Sequence, residues 1–477
     1  MTSGKTHILV LGGGFGGLYA ALFLDKTFVS DPNVEVTLVS RENYALFTPM
    51  LHEVAAGELE MSDIVNPIRK MLRRAVFFQA EVQSLDLLTR RVSVSHGVLA
   101  HRQELAFDHL VLALGSETNF FNLPGLAERA ITMKNGTDPF LLRNRVIALL
   151  ESASLEKSES VRRAMLTFVV AGGGFAGVET IGALNDFVRT AVKSYPKLNP
   201  DWIRILLIHP GTVVLPELGE SLGLYAQKKL RKRRVEIQTG TRVLGYSGNR
   251  VELSSGEAVK TATLIWTAGV TAASVLKDLP CKREKGRLVV DENLEVPDFP
   301  GVWALGDCAW ILNRKTGQPH PPTAQHAIRQ ASQVGKNIVA AIRGAPKKPF
   351  VFSTLGQLAT IGRRTGVANI LGVKFSGFIA WLLWRSVYLL KLPRFEKKVR
   401  VALGWTLDLF FPPDLAQYVT VRDIEALHEH LTHLRKNALQ PEPEEILLVE
   451  PLTTKPVPDH SLPQARGCGK QSGTRAG

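Results

Sequence analysis

Two stretches of this chain carry the same glycine-spaced turn. "HILVLGGGFGGLYAALFL" runs from His7 to Leu24, and "LTFVVAGGGFAGVETIGAL" runs from Leu166 to Leu184. Each is an apolar run, then GxGxxG, then a helix-like segment rich in small residues. Gly12 and Gly172 permit a tight turn, Gly14 and Gly174 let backbone approach a pyrophosphate, and Gly17 and Gly177 let helix pack on strand. The N-terminus of the following helix offers free N–H groups and a positive dipole end to phosphate. One such loop is compatible with any strand–turn–helix corner. Two in matching context restrict the chain to an α/β architecture with two dinucleotide-binding units.

The intervening sequence supports a duplication. In the first unit, His7–Leu11 and Val34–Ser40 read as strands, "DIVNPIRKMLRRAV" as a helix with basic exposed positions, and "RRVSVSHG" as a hairpin strand. The run "LVLALG" returns through the unit and ends at Gly115. Ser40 stands roughly where a Rossmann unit places its ribose-binding acid, so Ser40, Arg41 and Glu42 are the candidate contacts there. The second unit begins near Thr137, with strands at Leu166–Ala171 and Ile203–His209. "RRVEIQTGTRVLGYSG" and "ATLIWTAGV" then repeat the hairpin and returning strand into Gly269. "PGVWALGDCAWI", Pro300–Ile311, is a lone apolar strand ending at Gly306-Asp307. A lone strand must join a sheet, and the first unit is its host, so the second unit is expected as an insertion in the first.

Charge and cysteine usage narrow the function classes. The chain has 477 residues and a net charge of +14. Twelve Lys/Arg against one acid fall between Arg343 and Arg400, among Phe375, Phe378, Trp381, Trp384 and Tyr388. A second apolar helix follows, "VRVALGWTLDLFF", with Val399, Ala402, Leu403, Thr406, Leu407 and Phe410 at helical spacing. Tryptophans beside cations on amphipathic helices suit the interface of an anionic membrane. The competing reading is an apolar core or dimerisation pair, which a homodimer would use. Nucleic acid is set aside, because the basic patch is interleaved with long apolar runs and no nucleic-acid motif occurs. "FSGFIAWLLWRSVYLLKL", Phe375–Leu392, is interrupted by Arg385, so no spanning helix is expected. The N-terminal apolar run leads straight into the glycine loop and reads as a strand, not a signal peptide. Cys281, Cys308 and Cys468 form no CxxC, which argues against a disulfide framework, a zinc site or a dithiol centre. They read as reduced thiols in a protein facing the cytosol. The tail 437–477 is rich in Pro, Ser and Gly and is expected to be disordered.

Together, the paired glycine loops, Gly115, Gly269 and "GVWALGDCA" resemble the two-dinucleotide-binding-domain flavoproteins. Within these, "PPTAQHAIRQA" (Pro321–Ala331) is similar to the AQxAxRQ quinone-site motif of type II NADH dehydrogenases. "LFTPMLHEVAAGEL" and "GSETNFFNLPG" also resemble segments of that family, and the likeness covers roughly residues 7–415. It implies an FAD-binding domain in two parts, 1–136 and 285–365, the second carrying the quinone motif. An NAD(P)H-binding domain, 137–284, is inserted between them, and a membrane-associating helical region spans 366–436.

The resemblance also implies residue roles. The first loop, with Gly12, Gly14, Phe15 and Gly17, would hold FAD, and Asp307 would bond its ribityl chain. The flavin ring would lie near Pro49, Ala324 and Gln325, with the quinone beside Gln325, Arg329 and Gln330. The second loop would hold the nicotinamide nucleotide, with Glu179 beside the ring. Glu179 and Gln325 are the catalytic candidates. His209 departs from the pattern: an acid there would bind the ribose 2′-OH and repel a 2′-phosphate, whereas a neutral histidine does not repel it. NADH is the expected substrate, and NADPH is not excluded.

The implied activity is non-proton-pumping, FAD-dependent NADH:quinone oxidoreduction by a peripheral enzyme on the cytoplasmic face of a bacterial inner or plasma membrane. Hydride transfer needs no metal or protein nucleophile, and none is evident in the motifs. The alternatives are another pyridine-nucleotide-dependent flavoprotein reductase of this fold, or a non-catalytic redox-sensing nucleotide-binding protein. On this reading, truncation near residue 370 would release the protein from membranes and spare dye reduction by NADH.

Overall fold

A computed structural model describes residues 4–411 and 414–417. Two parallel five-stranded sheets are built to the same plan. In the first, the central strand Thr6–Leu11 lies between His109–Leu112 and Val34–Ser40, with Val302–Ala304 and Val76–Gln79 at the edges. In the second, Thr167–Ala171 lies between Thr263–Trp266 and Arg204–His209, flanked by Ile131–Thr132 and Val235–Thr239. Covered on both faces, the inner strands read as unbroken apolar runs; every residue of Thr167–Ala171 is buried. Each sheet carries a three-stranded antiparallel meander, beginning at Glu81–Asp86 in the first unit and at Val243–Ser247 in the second.

The insertion is visible in the pairing. Val302–Ala304 returns more than 180 residues later to lie parallel to His109–Leu112, where Trp303 is wholly buried. The two crossings between units pair with each other: Ser116–Thr118 runs antiparallel to Val270–Ala272. The crossing comes earlier than expected. Ile131–Thr132 already belongs to the second sheet, through Ile131 on Ile265, so a boundary at residue 137 is six residues late at the least. Asp138 explains the tight entry, since its Oδ2 accepts from the Lys134 and Asn135 amides.

Two further expectations are corrected. "DIVNPIRKMLRRAV" is not a helix: Met61–Ile64 makes one turn, Val65–Pro67 pairs as a strand, and Ile68–Lys70 is a 3₁₀ turn. Pro67 has no N–H to continue a helix, and its ring disfavours helical backbone before it. The C-terminal region is not helical throughout either. It opens with an antiparallel meander, Gly356–Thr360, Gly366–Ile370 and Val373–Gly377, so a boundary at 365 cuts a sheet. Phe375 lies in its last strand, and the helix begins at Phe378 and ends at Lys391. A second helix, Phe395–Leu407, follows. Trp384, Val401 and Trp405 from this pair close a core with Phe47, Met50 and Leu51 of the first unit. The meander also packs on the second glycine helix, where a Cβ on Gly182 would lie 2.7 Å from the Gly362 nitrogen. The tail 437–477 lies outside the described residues, as do residues 418–436.

The glycine loops follow one geometry. A Cβ on Gly17 would lie 1.9 Å from the Gly12 carbonyl oxygen, and one on Gly177 would lie 1.8 Å from that of Gly172. Nothing lies within 4 Å of a Cβ on Gly14 or Gly174. Gly17→Ala and Gly177→Ala are therefore expected to lose about 3 kcal/mol each through overpacking, read as a lower thermal midpoint. Gly14→Ala and Gly174→Ala should melt like the parent but lose stabilisation by added dinucleotide. A Gly177→Ala protein that melts normally would contradict this packing.

Candidate active site

A cavity of ≈ 860 Å³ lies where the two units meet the C-terminal region. Phe15 and Phe175 both line it. Each is the first residue of its glycine helix, Phe15–Thr27 or Phe175–Ala191, so both N-termini open onto one space. The helix Ala324–Ile342 starts there too, with Thr323 and Ala324 in the wall. Three helix N-termini give the cavity rim unpaired N–H groups and positive dipole ends, the field an anionic cofactor requires.

The residues present fit two adenine dinucleotides. Each loop offers open backbone at Gly14 or Gly174, and a Cβ at Gly12 would meet the Ala113 carbonyl oxygen at 2.3 Å. Ser40 closes on Gly13, its Oγ 2.5 Å from where a Cβ would be. Arg41 and Glu42 pair with each other at the surface, 3.3 Å apart. In the second loop His209 Nδ1 accepts from the Gly173 amide at 3.1 Å. Nδ1 therefore carries no proton and Nε2 does; burial lowers the pKa, keeping the ring neutral.

Of the expected site residues, Phe15, Pro49, Glu179, Gly269, Ala324, Gln325 and Arg329 line the cavity. Gln325 lies in the wall with both amide ends engaged: Nε2 donates to the Gly356 carbonyl at 2.9 Å, and Oε1 accepts from the Leu355 amide at 3.3 Å. Arg329 stacks over Phe352. Gln330 is turned away from the cavity and buried, its Oε1 accepting from the Gly306 amide at 2.8 Å. It braces the Gly306-Asp307 corner, where Gly306 has φ +74°. Gly115 also has positive φ, at the start of the first crossing. Asp307 Oδ2 accepts from Ser116 Oγ at 2.7 Å, and Ser116 Oγ accepts from Lys134 Nζ at 2.5 Å.

Glu179 is the buried acid of this wall. Its Oε1 accepts from Trp384 Nε1 at 3.0 Å and from the Thr360 amide at 3.3 Å, and Oε2 lies 4.0 Å from His52 Nδ1. Burial outweighs both hydrogen bonds and pushes the carboxyl up to about 8. Burial also pushes His52 down to about 3, so it is neutral, with Nε2 3.1 Å from Thr360 Oγ1. At pH 7 the pair therefore holds its proton on Glu179.

Behind His52 lies a charged cluster. The Arg385 guanidinium is stacked between the rings of Trp381 and Trp405, at 4.3 and 4.5 Å from their centroids. It faces Glu53 at 3.8 Å and Glu58 at 3.7 Å, and Trp405 Nε1 donates to Glu53 Oε2 at 3.1 Å. Burial raises both carboxyls, and their mutual repulsion adds to the shift on Glu53.

Lys134 and His52 were not singled out in the sequence, and Trp384 and Tyr388 were expected on an interfacial helix rather than in the site. Only the position of His52 in "LFTPMLHEVAAGEL" offered a signal. Cys308 is buried, and its thiol is pushed up to about 11, well away from a reactive thiolate. Among the described residues no group of acids, histidines and cysteines is arranged to hold a metal.

The sequence matches the pyridine nucleotide-disulphide oxidoreductase family over residues 6–331 and the NDH2 C-terminal domain over 355–412. The chain is 32% identical to the type II NADH:quinone oxidoreductase Ndh of Mycobacterium tuberculosis, covering 84% of this chain and 88% of that protein. It is 28% identical to the internal alternative NAD(P)H-ubiquinone oxidoreductase A1 of Arabidopsis thaliana, covering 87% and 86%. Among solved structures, NDH2 from Plasmodium falciparum in complex with NADH superposes with a TM-score of 0.80 at 22% identity, over 86% of this chain and all of that one. The sulfide:quinone oxidoreductase of Aquifex aeolicus gives 0.63 at 18% identity, over 86% and 96%.

The raised acids behind His52 carry a pH signature. Glu53 and Glu58 titrate higher in the folded chain than in the unfolded one, so above the ordinary carboxylate value of 4.5 the folded state keeps protons that the unfolded state has lost. Their contribution to stability falls as pH climbs from there towards the raised values. Glu58→Gln is expected to flatten the decline of thermal midpoint on the alkaline side. Equal slopes in parent and variant would refute the burial argument.

Proposed function

The chain belongs to the type II NADH:quinone oxidoreductase family, and from that premise we propose that it passes two electrons from NADH, through resident FAD, to a membrane quinone. The observation that carries this reading is that Phe15 and Phe175, the first residues of the two glycine helices, line one cavity. Two dinucleotides laid in those loops have their reactive ends in the same space. FAD supplies hydride acceptance and the return of the electrons in pairs or singly.

The chain's own residues bind, orient and exclude water. The first loop would hold the flavin pyrophosphate, and Asp307, fixed by Ser116 and Lys134, would hold the polyol. The second loop holds NADH, with Glu179 keeping a proton at the nicotinamide side. Neutral His209, with Nδ1 taken by the Gly173 amide and its ring N–H by the Val213 backbone, carries no negative charge to repel a 2′-phosphate, which leaves NADPH admissible. Quinone would enter the same cavity, whose wall includes Val387, Tyr388, Lys391, Gln325 and Arg329. Sulfide oxidation is disfavoured, since the buried thiol of Cys308 is not an available nucleophile.

The reading includes peripheral attachment, on the cytoplasmic face. No helix among the described residues is long and apolar enough to cross a membrane. The last two helices instead expose Leu390, Phe395 and Leu403, and the turn after them Phe410, each more than half accessible, with Lys391 and Arg400 exposed on the same two helices. A homodimer through the same face is the competing use.

Purified protein is expected to be yellow, to bleach with NADH, and to regain colour with a soluble quinone analogue. Bleaching without recovery would favour a redox sensor, and colourless protein would remove the flavin. A Leu390→Gln/Phe395→Gln/Leu403→Gln variant should lose at least about tenfold in affinity for anionic vesicles, since the loss of even one such insertion is worth roughly 1.5–3 kcal/mol. It should keep its NADH-dependent dye reduction. Unchanged vesicle binding with a monomeric parent would overturn the docking face. Truncation near residue 370 is no longer a clean test, because it also removes Trp384 and Tyr388 from the site.

A further inference from the structure

The C-terminal region does more than present an exposed face. Trp384 is wholly buried and comes from the helix Phe378–Lys391. Its indole N–H reaches across to Glu179 Oε1, on the second glycine helix, at 3.0 Å. The ring packs edge-on against His52, centroids 5.4 Å apart, and at a tilt against Tyr388 at 4.7 Å. A buried carboxyl with one edge held by fixed donors has only its other edge free. Here that edge is Oε2, which faces His52 at 4.0 Å.

We propose that Trp384 is a positioning residue for Glu179: by occupying Oε1 it leaves Oε2 as the one edge through which the acid acts in the cavity. This rests on the oxidoreductase reading above and deepens it, making the C-terminal helix part of the site's chemistry. Position depends on the helix being held in place, and the neighbouring cluster does that. Arg385, the next residue, is stacked between Trp381 and Trp405 and faces Glu53 and Glu58. Trp405 repeats the motif one layer away, donating its indole N–H to Glu53 Oε2 at 3.1 Å. Two indoles from the last two helices thus each hold one buried acid of the catalytic body.

The titratable groups around Glu179 come from three places: His52 from the first unit, Tyr388 and Lys391 from the C-terminal helix, and Lys134 from the segment entering the second unit. His52 is neutral at working pH, and Tyr388 is raised by burial and by Glu179 itself. Burial raises Glu179 to about 8, and Glu53 behind His52 to a similar value, so the Glu179 transition is the one that disappears in Glu179→Gln. A donated hydrogen bond favours the ionised form, so its removal moves that transition upward, whichever protonation state is the active one.

The test uses full-length flavin-loaded protein. Trp384→Phe keeps an aromatic ring but removes the pyrrole half of the indole together with its N–H, so a lower thermal midpoint is expected beside the functional effect. Its kcat/KM for NADH is expected to fall about tenfold, with flavin content retained. The pH midpoint should move to higher pH, and the carboxylic C=O infrared band, identified by difference against Glu179→Gln, should shift with it. In the Glu179→Gln background, Trp384→Phe should change kcat/KM little. Independent, multiplying effects of the two substitutions, or an unshifted band and pH midpoint in Trp384→Phe, would overturn the proposal. A parent protein that shows the band and its shift but no NADH:quinone turnover would leave the positioning role standing and sink the oxidoreductase reading instead.

Discussion

The short approach of each glycine helix to its own loop carbonyl sets the direction of everything else. Gly17 lies against the Gly12 carbonyl and Gly177 against that of Gly172, at distances no side chain could tolerate. That contact presses the helix onto the central strand of its sheet and fixes where its N-terminus points. Four strands of the two sheets have the same order, and only the edge strand beside the returning strand differs, coming last in the first unit and first in the second, so the contact gives two matching cradles. The paired crossings Ser116–Thr118 and Val270–Ala272 then hold the units so that Phe15 and Phe175 face one cavity. Had the second unit been appended rather than inserted, one flexible linker would have replaced this antiparallel pair, and relative domain motion would be the default.

A cavity of this kind needs a lid that adds few charges. The C-terminal meander and helices supply it, with Leu358, Ile370, Val387 and Tyr388 in the wall. Closing the space removes water from Glu179, and desolvation then dominates its titration over two hydrogen bonds that oppose the shift. Burying a carboxyl that stays neutral is far less costly than burying a carboxylate. The same logic applies to Glu53 and Glu58 on the far side of the short helix Leu51–Ala55. One arginine cannot neutralise two carboxylates, so protons make up the difference.

The doubled architecture was legible because backbone geometry demands glycine at fixed spacings, and a covered parallel sheet demands unbroken apolar strands. The host sheet of Val302–Ala304 followed from the rule that a lone strand needs a partner. What was not legible lies where one residue type serves two environments. Pro67 inside an otherwise amphipathic run turned a helix into a strand and a 3₁₀ turn. Gln330 and Gln325 share one helix, but a helical turn of 3.6 residues sends the first towards the Gly306 corner and leaves the second in the wall. Lys134 carries no motif; its importance arises only when Ser116 and Asp307, 191 residues apart, are brought to 2.7 Å. Long-range contacts of this sort leave no local pattern.

The basic C-terminal stretch shows why a count of charges is a poor guide to a surface. Twelve cations fall in this stretch and carried the expectation of contact with an anionic surface. Arg385 and Lys397 instead point inward, the first between two indoles and the second onto the Ser62 carbonyl, while Arg363 bonds the Asp408 carbonyl. Lys391 and Arg400 remain exposed beside the apolar face. The division has a physical consequence. A helix whose inner face is locked by a stacked guanidinium presents its outer face rigidly, and its inner face is the wall that carries Trp384 and Tyr388. Whatever occupies the outer face bears on the same two helices that hold Glu179, so surface attachment and the acid of the cavity share one rigid element.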